Sequence, residues 1–221
     1  MNTTARDWPR RIDAARAAAW RRDGAWRDEP VSRAARAIAR IDPDRVTHVS
    51  GELRLTASLL VAQAERLATS LHARGLRSGD VVSFQLPNWH EAVVIDLAAS
   101  MLGLVVNPIV PIYRDAEVEL ILDDCGAKAI FLPSTFRGYD YAAMLARIRP
   151  RLPGLALVCG VRVDGDVPAL AEADRFERLV DASVPRHQGP EPDPDAVKMI
   201  MYTSGTTGRP KGVLHSHNTL Q

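Results

Sequence analysis

The sequence holds only two cysteines, Cys125 and Cys159. Neither belongs to a Cys-x-x-Cys pair or a Cys/His cluster, so neither metal nor redox chemistry is indicated. Lysine is nearly absent: Lys128, Lys198 and Lys211 are the three, and every other basic residue is arginine. Charge of one sign is lacking too. A formal net charge of +1 gives no general pull toward nucleic acid or acidic membranes. Aromatic residues make up 5%, and they read as core or surface anchors. The longest apolar stretch, Met101 to Pro111, is interrupted by Gly103, Asn107 and Pro108, and crossing a bilayer takes roughly 20 apolar residues. The N-terminus carries no apolar segment of the secretory kind. A cytoplasmic protein without a membrane span is the expectation.

What is present fits a globular core: 46% hydrophobic and 25% charged residues over 221 positions. The first 45 residues hold eleven basic and seven acidic side chains. A targeting peptide would be poor in acids, so these read as solvated helix faces. Asp7-Trp8-Pro9 resembles a helix start, with Ile12, Ala15, Ala19 and Trp20 at helical spacing, and a second helix is expected over Ser32 to Ile41.

Beyond that point strands and helices alternate. Val46–Val49 reads as a strand turned by Ser50-Gly51, and Thr56–Arg74 as a helix with one apolar stripe and Gly75 as its stop. Strands are expected at 81–85, 104–107, 127–132 and 155–159, with helices at 89–102, 115–125 and 139–148. The stretch from Val161 to Asp195 reads as a long surface connection with one short helix near Phe176 to Val180. Strands separated by helices of this length call for parallel pairing. The fold class is therefore α/β, a layered, mostly parallel sheet flanked by helices.

Chemistry concentrates near residue 205. A strand over Ala196–Tyr202 runs into Thr203-Ser204-Gly205-Thr206-Thr207-Gly208-Arg209-Pro210-Lys211-Gly212, and a second strand over Val213–His215 follows. The glycines permit positive φ and bare N–H groups that converge. Four hydroxyls add donors, and Lys211 adds a mobile point charge. Such a loop matches a polyphosphate. The Walker loop is disfavoured, because it needs Gly-Lys followed by Ser or Thr and then a helix. A plain Gly/Ser/Thr-rich hairpin turn would share the composition. His215 and His217 are two apart and could share a strand face, but no third metal ligand is in view. His90 and the Asp123-Asp124 pair read as structural and solvated.

The ordered string Tyr202 to Gly212 closely resembles the signature loop of the adenylate-forming superfamily of acyl- and aryl-CoA synthetases, luciferases and adenylation domains. The likeness extends upstream through Leu55-Thr56, Gln85-Leu86-Pro87-Asn88-Trp89, Gly103 to Ile109, Arg114 and Phe136 to Asp140. It covers about Val46 to Gln221 and is nearest to cyclohexanecarboxylate-CoA ligases and dihydroxybenzoate-AMP ligases. It implies a partial N-terminal AMP-binding domain over 46–221, preceded by a helical extension over 1–45. It also implies that Thr203, Ser204, Gly205, Thr206, Thr207, Gly208 and Lys211 hold the ATP phosphates. The activity implied is ATP-dependent activation of a small carboxylic acid followed by transfer to CoA. The magnesium ligand and the catalytic residues are expected downstream of Gln221. Two alternatives stand beside it: a non-catalytic fragment acting as a weak nucleotide binder or interaction module, and an adenylation domain loading a carrier protein.

Overall fold

The computed structural model describes Trp8, residues 12–203 and residues 210–220. Helix α1 (Ala14–Arg22) starts where Asp13 accepts from the Arg16 N–H at 2.8 Å. The helix start expected at Asp7-Trp8-Pro9 lies, apart from Trp8, outside the described residues. Helix α2 (Val31–Ile41) follows, then a hairpin of β1 (Val46–Ser50) and β2 (Leu53–Thr56). The sequence announces only the first of these strands, because both are short and largely exposed and so lack a clean alternation. Thr56 then caps α3 (Ala57–Ala73), its hydroxyl accepting from the Leu59 N–H at 3.3 Å.

The next elements are β3 (Val81–Phe84), α4 (His90–Leu102), β4 (Val105–Pro108), α5 (Asp115–Cys125) and β5 (Ala127–Pro133). Both α4 and α5 end on left-handed glycines, Gly103 at φ +66° and Gly126 at φ +63°. A two-residue pair, β6 (Thr135–Phe136) with β7 (Tyr139–Asp140), precedes α6 (Tyr141–Ile148). That pairing claims Tyr139 and Asp140 for a hairpin, so the helix expected from Tyr139 begins two residues later. Strand β8 is Leu157–Val161, two residues beyond its expected place. The long connection holds α7 (Phe176–Leu179). The chain then forms β9 (Val197–Thr203) and β10 (Lys211–Ser216), and a 3-10 turn at Asn218–Leu220 follows.

Six strands make one sheet in the order β10-β9-β4-β3-β5-β8, all parallel except β10. Successive strand residues point to opposite faces. Val82, Val106, Phe131 and Cys159 pack with Leu67, Leu71 and Ile95 in the layer of α3 and α4. Their neighbours Val81, Val105, Ile130 and Val158 pack with Ile121 and Leu145 in the layer of α5 and α6. Helices cover both faces, which is why the strands read as continuous apolar runs.

Helix α2 lies on α3 through a buried carboxylate. Glu65 accepts from Arg36 Nε at 2.9 Å and from Arg186 Nε, while Arg36 also pairs with Glu191. One α3 side chain thereby holds α2 and the connection leading to β9.

Candidate functional site

The parallel strands end together at one edge of the sheet, the edge where ligands bind in open α/β folds. Strand β9 delivers Thr203 to that edge and β10 leaves from Lys211. The two residues face each other as the outermost registered pair of the hairpin, and both are exposed. Inside them Tyr202 opposes Gly212, Met201 opposes Val213 and Ile200 opposes Leu214. The hairpin thus begins at Lys211, two residues earlier than expected. Ser204, Gly205, Thr206, Thr207 and Gly208 lie outside the described residues, so Thr203 and Lys211 are the two expected site residues that the structure places. It brings them together.

Only Val106 and Met199 form a registered pair between β4 and β9 among the described residues. Past that rung the next residue but one of β4 is Pro108, which has no N–H to donate. The outer part of the β9–β10 hairpin therefore overhangs the sheet. Ile200, Tyr202 and Leu214 point from it toward the α5 layer. The Tyr202 hydroxyl donates to Asp124 Oδ2 at 2.5 Å, so Asp124 is engaged by the hairpin where the sequence reads as a solvated carboxylate.

The same edge carries a rim of arginines on aromatic rings that the sequence did not reveal. Trp89, after β3, meets Phe136, after β5, edge to face at 5.6 Å between centroids. Arg162, directly after β8, stands 4.1 Å over the Trp89 ring, and Arg137 lies 5.3 Å from the Phe136 ring. Both arginines have left-handed backbones, φ 52° and φ 50°, a conformation that costs a non-glycine residue about 1 kcal/mol or more. At Arg162 the compensation is visible. Its guanidinium grips buried Glu91 through two bonds, 2.6 and 2.9 Å. Next along the rim Arg114 sits 3.8 Å over Tyr139. The Tyr139 hydroxyl donates to Asp115, and burial followed by that carboxylate's charge raises the phenol's pKa. Arg147 holds Asp115 below the usual carboxylate range.

The two histidines after the loop do not act as a pair. His217 is buried, and its Nδ1 accepts the Val31 N–H at 3.3 Å; burial and then the charge of Lys198 press its pKa down to about 4. His90 is likewise held down, first by burial, beside Glu91 and Arg162. Among the described residues no group of three or more His, Cys, Asp or Glu side chains could hold a metal ion.

The family model described as "AMP-binding enzyme" matches residues 35–221. The medium-chain fatty-acid–CoA ligase of Escherichia coli (strain K12) is 33% identical over 211 residues, covering 93% of this chain and 36% of that protein. A 2-hydroxy-7-methoxy-5-methyl-1-naphthoate–CoA ligase of Streptomyces carzinostaticus is 34% identical over 224 residues, covering 96% of this chain and 38% of that protein. Among solved structures, apo MbtA of Mycobacterium smegmatis superposes with a TM-score of 0.82 at 28% identity, over 94% of this chain and 37% of that one. The chain thus spans a little over a third of the length of these relatives. The loop string, the parallel sheet that ends in the Thr203–Lys211 hairpin and the match from residue 35 onward agree: the chain belongs to the AMP-binding enzyme family, the adenylate-forming superfamily.

Proposed function

We propose that this chain grips the phosphates of ATP while a carboxylic acid is activated as its acyl-adenylate and then passed to CoA. The observation that carries the reading is the Tyr202–Gly212 string, mounted between two antiparallel strands at the carboxyl edge of a parallel sheet. A carboxylate cannot acylate a thiol directly, because oxide would have to leave. Joined to AMP it gains a good leaving group. Its unperturbed pKa is near 4, so it is ionised at neutral pH and the attack needs no general base. What the step needs is alignment on the α-phosphorus and relief of the charge that builds on pyrophosphate.

The residues at hand suit that task. Thr203 and Lys211 stand opposite each other at the edge as a registered pair, and Ser204, Gly205, Thr206, Thr207 and Gly208 join them along the chain. Lys211 would offset phosphate charge as a point cation, and Arg114, Arg137 and Arg162 stand along the same edge. Magnesium would add charge neutralisation when bound; the described residues offer no ligand set for it. The CoA ligases among the relatives favour CoA over a carrier protein as acceptor. Their acids, one a fatty acid and one an aromatic acid, leave the acid class open between these two.

The test uses the full-length protein that carries this sequence. Thr206→Ala or Lys211→Ala should weaken pyrophosphate–ATP exchange at least several-fold. Unchanged exchange in both variants removes the assignment.

A further inference from the structure

Gly212 is the bare rung of the hairpin. A Cβ built there would lie 2.7 Å from Ile200 Cδ1, 3.0 Å from Ile200 Cγ1 and 3.3 Å from Tyr202 Cζ. The Tyr202 ring therefore lies across a backbone with nothing in its way, and its hydroxyl reaches Asp124 Oδ2 at 2.5 Å. Asp124 is the penultimate residue of α5, next to Asp123. Carboxylates at a helix C-terminus face the negative end of the helix dipole, so Asp124 sits where its own helix disfavours it. A phenol that donates to it offsets that cost. The bond also bridges a gap. Because β9 leaves β4 after the Val106–Met199 rung, the overhanging strand ends need an anchor in the helix layer, and Asp124 supplies one through Tyr202.

We propose that Asp124 and Tyr202, with Gly212 making room for the ring, are positioning residues that hold Thr203 and Lys211 in place for the phosphates. In this role each acts through the strand ends. The proposal rests on the phosphate-gripping function above and names the parts that set its geometry.

The full-length protein serves for the test, with Tyr202→Phe, Asp124→Ala, Asp124→Asn and Gly212→Ala. Tyr202→Phe keeps the ring and removes the donor. We expect it to raise the KM for ATP in pyrophosphate exchange roughly three- to tenfold, the range for losing one charge-assisted hydrogen bond partly open to water. Asp124→Ala should do the same, and the double variant should be no worse than either single one. Asp124→Asn retains an acceptor oxygen and should recover most of the loss. Gly212→Ala, which pushes on Ile200 and the ring, should also raise the KM. Transfer to CoA from added acyl-adenylate should stay at the wild-type rate in Tyr202→Phe, since no pyrophosphate takes part in that half-reaction. A merely structural bond would slow both halves together.

Two results overturn the proposal, and they are distinguishable. If wild type exchanges pyrophosphate but Tyr202→Phe and Asp124→Ala leave the KM for ATP unchanged, or slow both halves equally, the clamp is wrong and the phosphate-gripping function stands. If wild type itself shows no exchange with any acid, that function fails and the clamp fails with it.

Discussion

The backbone N–H of Val31 donates to Nδ1 of His217 at 3.3 Å, across a sequence separation of 186 residues. Pro30, at the N-cap of α2, offers no side-chain acceptor, so a histidine that follows the last strand caps a helix near the start of the chain. Asn218 adds to the junction. Its Oδ1 accepts from the Asp28 N–H at 3.1 Å, and its Nδ2 donates to Asp28 and Asp195, each at 2.8 Å. The region around α1 and α2 is thereby fastened to the strand pair that carries the candidate site.

A pH dependence follows from that cap. Burial first, and then the positive charge of Lys198, lower the pKa of His217 to about 4, against about 6.5 when unfolded. A depressed folded pKa means that the unfolded chain takes up the proton first. The stabilisation is fully present above about pH 6.5 and is lost as pH falls toward 4, on the order of 3 kcal/mol in all. His217→Asn keeps an acceptor near the position of Nδ1 but cannot titrate. Urea midpoints should fall steeply between pH 6.5 and 4 in the wild type and more gently in the variant. Parallel curves would show that His217 is not the group responsible.

Lys198 makes a second prediction. Its side chain is 2% exposed, and Nζ lies 2.6 Å from Oδ1 of Asp96 on α4. Removing one partner of a buried pair leaves the other charge uncompensated, at a cost of about 3–5 kcal/mol. The two partners differ in exposure, for Asp96 keeps 28% of its side-chain surface. Asp96→Ala strands a buried ammonium, whereas Lys198→Met leaves a carboxylate that water can still reach. Asp96→Ala should therefore be the more destabilising by about 1–2 kcal/mol, within the range set by those limits. Thermal melts of the two variants decide the order, and equal losses would place Lys198 in contact with water.

The elements that the sequence announced are those whose signal is local. Helix α5 begins at Asp115 and ends at Cys125 as expected. Glu117 reaches back to the Arg114 N–H at 3.2 Å, and Gly126 supplies the left-handed stop, both visible in the residue order. Strand β2 and the β6–β7 hairpin escaped notice because each is too short to show a period. The candidate loop was legible for a related reason: its donors are neighbours along the chain. The clamp behind it was not, since Asp124 and Tyr202 stand 78 residues apart and each looks ordinary alone. Arg162 illustrates the same limit. No local feature marks it as an arginine that will take a left-handed backbone; the Trp89 ring over which it stands and Glu91, 71 residues away, come from elsewhere in the chain.

The cysteines allow a test of the core itself. Cys125 packs in the α5–α6 layer, 1% exposed, and its Sγ accepts from Asn107 Nδ2 at 3.3 Å. Cys159 packs in the α3–α4 layer, and burial pushes its thiol pKa far above the ordinary range. The sheet lies between the two residues, so a disulfide joining them would require the strands to part. The thiolate is the reactive form, and both side chains are buried away from the reagent. A colourless-to-yellow thiol reagent such as Ellman's should therefore react with neither at pH 8 over minutes, and with both once guanidinium unfolds the chain. The slow native-state labelling rate then measures how often each layer opens. Both layers pack on one hydrogen-bonded sheet, so if the sheet and its layers open as a unit the two rates should agree. A fast rate at Cys159 alone would mean that the α3–α4 layer parts from the sheet by itself, against the continuous packing of Leu67, Leu71 and Ile95 on Val82 and Phe131.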